Sequence, residues 1–174
     1  MGRFGQIIGA IAASVLAVGL LTTLALGVTG RLSGGAITAV RVADVPSVDF
    51  SAGTFEDIRG ASTAITVPAN SQAIVLARFS GFAEVVSNSS VPNDVSVRIV
   101  IGPPGGPFTV MQPGQTVFVH APANQTAEAT GVTDQSYGPI GPGTYVVKAQ
   151  AQVTTPALGC QFGGDSLTVE EAKA

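Results

Sequence analysis

The sequence has few charged residues, and this scarcity excludes several classes of protein. Its 174 residues include 8 Lys and Arg and 11 Asp and Glu, so charged residues make up 11% of the chain, against about 25% in an ordinary soluble domain. Eight cations spread along the whole chain cannot neutralise the many phosphates that a basic nucleic-acid-binding patch contacts. The apolar content of 45% and the net charge of −3 also exclude a charged disordered tail.

Cysteine, histidine and tryptophan are scarce as well. The one cysteine, Cys160, excludes an intramolecular disulfide framework and a thiolate zinc cluster. We expect it to be a buried, inert thiol, and the alternative is an intermolecular disulfide. The one histidine, His120, has no second imidazole with which to bind a metal. It is therefore predicted to be a surface residue of a strand rather than a metal ligand or a lone base.

Aromatic residues that could stack on a sugar are also few. The chain has no tryptophan and two tyrosines. Tyr145 is predicted to lie in the core, whereas Tyr137 falls in a polar loop, Thr133–Gly138. Tyr137 is therefore the aromatic residue that we would test first for glycan binding.

A long uncharged stretch stands near the N-terminus. No charged residue occurs between Arg3 and Arg31, and the apolar part, Ile7–Val28, is 22 residues long. As an α-helix it would be about 33 Å long, enough to cross a bilayer core of about 30 Å. The sequence favours an uncleaved membrane anchor, and a signal peptide cleaved after the small residues Ala25 and Gly27 is the alternative.

This stretch also predicts the organisation and location of the chain. Residues 1–30 are interpreted as a transmembrane anchor or signal peptide, and residues 31–174 as an exported domain. The positive-inside rule places Arg3 in the cytoplasm and the C-terminal domain outside. The domain is secreted if the N-terminal segment is cleaved.

The remainder of the chain predicts short strands separated by turns rich in glycine and proline, which exclude helices. Seven or eight strands in about 140 residues are typical of an antiparallel β-sandwich, for which we expect a jelly-roll-like strand order. The segment 43–60 is predicted to be a loop. The predicted strands are 36–42, 64–67, 72–86, 94–101, 116–121, 144–153 and 166–170.

Alternation of apolar and polar residues assigns the faces of these strands. Arg98 is predicted to point outward from its strand, as are Lys148, Gln150 and Gln152 from theirs. In strand 116–121 the alternation places His120 with Phe118, on the face opposite the valines. The predicted inward residues are Val95, Val97, Ile99, Ile101, Val117, Val119, Ala121, Tyr145, Val147, Ala149, Ala151, Val153, Leu167 and Val169.

One short run resembles a catalytic motif. The residues Gly164-Asp165-Ser166-Leu167 match the nucleophile motif of GDSL-type esterases. No histidine follows Ser166, and His120 lies on a different strand, so a nucleophile has no evident base. We therefore interpret Gly163–Asp165 as a turn that opens the last strand. An exported hydrolase using Ser166 or His120 remains the alternative function.

The predicted loop 43–60 could supply oxygen ligands for Ca²⁺, a hard cation. It shows no EF-hand spacing, and a solvated loop is the favoured interpretation. No catalytic, cofactor-binding or metal-ligating set of residues is predicted. The four carboxylates in question are Asp44, Asp49, Glu56 and Asp57.

Four runs resemble, in the same order, strands of uncharacterised bacterial exported β-sandwich proteins: 67–80, 95–99, 143–150 and 167–170. The resemblance covers about residues 63–171. Those proteins carry a cysteine pair around the loop that corresponds to 85–93, where this chain has none. The resemblance implies a fold and an exported location, and it transfers no activity. The sequence thus predicts a non-enzymatic envelope or secreted protein with a binding or structural role. Its partner would be another protein, a glycan or its own copies.

Overall fold

The computed structural model describes residues 37–87, 90–155 and 159–174, and these form two antiparallel β-sheets without a helix. Nowhere in these ranges does the chain form an apolar helix long enough to cross a membrane. The predicted span Ile7–Val28 lies outside the described residues.

Ten strands build the two sheets. In chain order they are β1 (Ile37–Val45), β2 (Val48–Phe50), β3 (Glu56–Val67), β4 (Ala73–Val86), β5 (Asn93–Gly102), β6 (Thr109–Val110), β7 (Thr116–Ala121), β8 (Thr126–Ile140), β9 (Gly143–Val153) and β10 (Cys160–Lys173). Sheet A has the order β1-β10-β4-β8, and β2 pairs with the same strand as β1. Sheet B has the order β3-β9-β5, and β6 and β7 both pair with the free side of β5. The predicted all-β antiparallel sandwich is confirmed.

The core lies between the sheets and consists of the inward residues of each strand. Alternation is clearest in β5 and β9. Their inward apolar residues, among them Ile99 and Val147, are buried, and the polar residues that alternate with these along each strand point outward. Phe79 of β4, Phe118 of β7 and Phe162 of β10 pack together with ring centroids 5.8–6.3 Å apart. Such aromatic contacts add to the stabilisation from apolar burial.

Several strand predictions need correction. The segment 43–60 is not a loop, because it contains the end of β1, all of β2 and the start of β3. Strand β8 was missed, as were the short β2 and β6. The inward positions of β8 carry small or polar residues, such as Ala127, Ala129 and Thr133, so the apolar alternation that marks a strand is weak there.

Two predictions were wrong at β-bulges: the outward placement of Phe118 and the turn at Gly163–Asp165. The register of β5 against β7 shifts between Val95 and Ser96. Because of this shift, the Phe118 side chain points into the core and Val117 is exposed. In sheet A, Gly163–Asp165 is not a turn before the last strand but lies inside β10, where the register against β4 shifts. A bulge of this kind inserts an extra residue and reverses the alternation beyond it.

Candidate functional site

The outer face of sheet B carries a row of polar side chains from its three longest strands. Arg98 of β5 lies opposite Gln150 of β9, which in turn lies opposite Asp57 of β3. Neighbouring strands are about 4.8 Å apart, so the row spans about 10 Å. Lys148 lies two residues from Gln150 on the same face of β9. We call Arg98, Gln150, Asp57 and Lys148 the polar strip.

Hydrogen bonds join the polar strip from end to end. Arg98 Nε donates to Gln150 Oε1 over 2.9 Å, and Gln150 Nε2 donates to Asp57 Oδ1 over 2.8 Å. Lys148 Nζ donates to Asp57 Oδ2 over 2.6 Å and forms an ion pair with it. Each side chain is thus held in place by its neighbour before any ligand arrives.

A phenylalanine ring lies against each cation of the polar strip. The guanidinium carbon of Arg98 is 4.1 Å from the centroid of the Phe55 ring, and Lys148 Nζ is 4.6 Å from that of Phe108. Both distances are within the range of a cation–π contact. The strip therefore has half-buried aromatic rings on two sides.

Loops at the sheet margin bring these rings into place. The loop before β3 is fixed to β9 by hydrogen bonds from Val153 N to Ala52 O, 2.9 Å, and from Gln152 Nε2 to Gly53 O, 2.8 Å. On the other side, the loop after β5 folds back over Gly102. A Cβ atom at Gly102 would overlap the backbone of Pro107 and contact Phe108. Glycine is thus required there for the close approach.

Charge is distributed unevenly along the polar strip. Burial would raise the pKa of Asp57, but hydrogen bonds from Lys148 and Gln150 outweigh it and hold that pKa below its usual value. Asp57 is therefore an ionised partner of Lys148. Burial lowers the pKa of Arg98, whose hydrogen-bond partner in the strip is the neutral amide of Gln150. The Arg98 end of the strip carries the uncompensated positive charge.

The structure separates the two residues proposed for a hydrolase. Ser166 lies in β10 of sheet A, and its Oγ is 3.1 Å from Ser80 Oγ. His120 lies in β7 of sheet B, and its Nδ1 is 2.5 Å from Asp94 Oδ1. The residues belong to opposite sheets, so His120 is not positioned to take a proton from Ser166.

The four carboxylates predicted as one acidic loop are also dispersed. Asp44 is in β1, Asp49 in β2, and Glu56 and Asp57 begin β3. Within the described ranges, no three His, Cys, Asp or Glu side chains come together as a metal site needs. Tyr137 is not in the predicted loop but in β8, where it is half-buried and packed against the core.

A cleft of about 390 Å³ lies at one end of sheet A. Asp49, Glu84 and Gln161 form part of its wall, and Cys160 lies beside them. Burial first, and then the charges of Asp165 and Asp49, raise the pKa of the Cys160 thiol to about 12. The thiol therefore stays protonated at neutral pH and is a poor nucleophile, which agrees with the prediction of a buried, inert cysteine.

The sequence contained part of the information about the polar strip. Alternation placed Arg98, Lys148 and Gln150 on outward faces, and the structure confirms this. Asp57 and Phe55 were hidden in the predicted loop. Their position beside the other residues depends on the pairing of β3 with β9. The residues to which Asp57 is hydrogen-bonded, Lys148 and Gln150, lie 91 and 93 positions away in the chain.

No protein-family model matches the chain, and no curated protein is significantly similar to it. Among solved structures, the chain is similar to the CBM22-1 xylan-binding domain of Xyn10C from Paenibacillus barcinonensis. The sequence identity is 12%, the TM-score is 0.35, and the alignment covers 83% of this chain and 90% of that domain.

Two further structures show similarity of the same order. The CBM22-1–CBM22-2 tandem of the same Xyn10C gives 12% identity and a TM-score of 0.34, with 84% of this chain aligned to 43% of that one. The SPBc2 prophage-derived protein YomS gives 11% identity and a TM-score of 0.28, covering 80% of this chain and 98% of that one. These similarities are too weak to assign a ligand or an activity.

Proposed function

We propose that this chain is a non-enzymatic binding protein that holds a glycan on the outer face of sheet B. The observation that carries the proposal is the polar strip, in which a guanidinium, an amide, a carboxylate and an ammonium group lie side by side between two phenylalanine rings. The arrangement offers binding groups without a nucleophile paired to a base.

The chemistry of the polar strip suits a polyhydroxylated ligand. A sugar hydroxyl is both a donor and an acceptor, so a surface that binds several hydroxyls needs both kinds of group. Arg98 and Lys148 supply donors, Asp57 supplies acceptors, and Gln150 supplies both. The rings of Phe55 and Phe108 provide apolar surface for the C–H faces of sugar rings.

The rigidity of the polar strip also favours binding. Its side chains stand on adjacent strands and already hydrogen-bond to one another. Less side-chain freedom is therefore lost when a ligand binds, which leaves more of the contact energy as affinity. The polar strip crosses three paired strands, so an extended glycan chain can lie across the face.

Affinity electrophoresis of the full chain in native gels containing dissolved polysaccharides tests this function. We expect retardation by at least one polysaccharide, and we expect Gln150→Ala to abolish most of it by breaking the strip at its centre. Gln161→Ala is the matched control, because Gln161 lies on the outer face of sheet A, where its amide bonds to Asp49. Equal retardation of both variants would contradict the proposal.

We further propose that the strands of the two sheets follow a jelly-roll order. We also propose that the domain is exported and stays attached to the membrane of a bacterial cell through residues 7–28. The length of the apolar segment supports the anchor. Alkaline washing of host membranes and sequencing of the mature N-terminus test it. Recovery in washed membranes with residues before Gly9 intact supports the anchor, whereas a soluble product beginning near Val28 would show a cleaved signal peptide.

A further inference from the structure

Arg98 differs from the other arginine that makes a side-chain contact across strands. On sheet A, Arg78 donates from Nε and Nη2 to the two carboxylate oxygens of Asp134, over 2.7 and 3.2 Å. Arg98 is half-buried, yet it donates from Nε to the neutral amide of Gln150. A guanidinium withdrawn from water without a counter-ion is costly.

The surroundings of Arg98 leave part of its guanidinium available. The Phe55 ring covers one face of the group at 4.1 Å, and Nε is occupied by Gln150. Throughout residues 37–87, 90–155 and 159–174, neither Nη atom has a hydrogen-bond or ion-pair partner. The carboxylate of the polar strip, that of Asp57, already accepts hydrogen bonds from Lys148 and Gln150.

We propose that Arg98 is an anion receptor, which makes the ligand of the polar strip an acidic glycan whose carboxylate or sulfate accepts hydrogen bonds from the two Nη atoms. This inference rests on the proposed glycan-binding function. The planar guanidinium can present two parallel donors to a carboxylate or sulfate group, a strong and directional form of recognition. Gln150, Asp57 and the phenylalanine rings then contact the sugar hydroxyls and ring faces beside the acid group.

The charge of the whole chain makes this inference specific. The net charge is −3, so the protein as a whole repels polyanions rather than attracting them. Lys148 is neutralised by Asp57 at the other end of the polar strip. Binding of a polyanion would therefore have to come from a local receptor, and Arg98 is the member of the strip that has uncompensated charge.

The test measures affinity of the full chain in gels containing polygalacturonate, its fully methyl-esterified form, dextran sulfate or dextran. The esterified form and dextran are the uncharged counterparts of the two acidic polymers, so the pairs distinguish a carboxylate from a sulfate ligand. We expect one acidic polymer to retard the chain about tenfold or more strongly than its neutral counterpart, as a charge-assisted hydrogen bond predicts.

Three variants test whether Arg98 causes the preference for the acidic polymer. Arg98→Gln should remove the preference for the acidic polymer, and Arg98→Lys should restore part of it, because an ammonium keeps the charge but not the fork of donors. Arg78→Gln is the control, because it makes the same change of charge on the opposite sheet. Melting temperatures of all three verify that they fold.

The outcomes distinguish this inference from the proposed function. Equal binding of acidic and neutral polymers, weakened by Gln150→Ala, would overturn the acidic ligand while supporting a glycan-binding face. Loss of acidic binding in Arg78→Gln but not in Arg98→Gln would also overturn it. Binding to neither acidic polymer overturns the acidic ligand, whereas the glycan-binding function is contradicted only if no polysaccharide retards the chain.

Discussion

Asp165 is a carboxyl group that the fold buries with only part of its hydrogen-bonding capacity used. The residue is 4% exposed, and its Oδ1 accepts a hydrogen bond from Phe82 N over 2.8 Å. Its Oδ2 has no partner among the described residues. Burial raises the pKa of Asp165 to about 6, although the bond from Phe82 acts in the opposite direction.

This pKa predicts how stability changes with pH. Between the unfolded value of 3.8 and the folded value of about 6, the folded state binds more protons than the unfolded state, so acidification through this window stabilises the fold. Asp165→Asn, which can still accept from Phe82, should remove that contribution. Urea unfolding at pH 4.5 and pH 7 measures it in both proteins, with Asp134→Asn as an exposed control. An unchanged pH response in Asp165→Asn would refute the assignment.

Among the strands, the side chains at two bulges pack against a pair of glycines in β4 and β8. Gly81 of β4 lies opposite Gly131 of β8. A Cβ atom at Gly81 would overlap the Asp165 carboxyl, and one at Gly131 would lie 2.9 Å from the Phe118 ring. The two glycines therefore make room for side chains that two different bulges turn inward.

Gly81→Ala should destabilise the protein by about 1–3 kcal/mol, because it overpacks a filled site. The same change should cost less in an Asp165→Ala background, where the overlapping carboxyl is absent. Chemical denaturation of the two single variants and the double variant measures this coupling. Gly141→Ala is the control, because nothing lies within 4 Å of its added Cβ atom. Additive effects of Gly81→Ala and Asp165→Ala would contradict this packing.

The same elements show what could be predicted from the sequence. Strands with strong apolar alternation, such as β5 and β9, were placed within one residue at each end. Strand β8 was missed because many of its inward positions carry alanine, glycine or threonine rather than large apolar residues. The bulge in β7 was missed because alternation within one strand contains no information about its partner's register.

Over the whole described domain, the outer faces of the two sheets carry different side-chain contacts. The core takes one face of each sheet, and the other faces carry different chemistry. On sheet A, Arg78 and Asp134 neutralise each other. On sheet B, the polar strip combines donors, acceptors, rings and one uncompensated guanidinium. The sequence predicted that Arg98, Lys148 and Gln150 point outward. Asp57 was not predicted to join them, because its place depends on the long-range pairing of β3 with β9.

The proposed function requires the outer face of sheet B to be the ligand-binding surface. To test this, the ¹⁵N-labelled full chain is titrated with oligogalacturonate and separately with a dextran oligosaccharide, and its backbone amide chemical shifts are followed. We expect the shift changes in at least one titration to concentrate in residues 53–57, 96–100 and 148–152. Shifts that concentrate on the outer face of sheet A, around residues 166–170, or that are absent from both titrations, would contradict it.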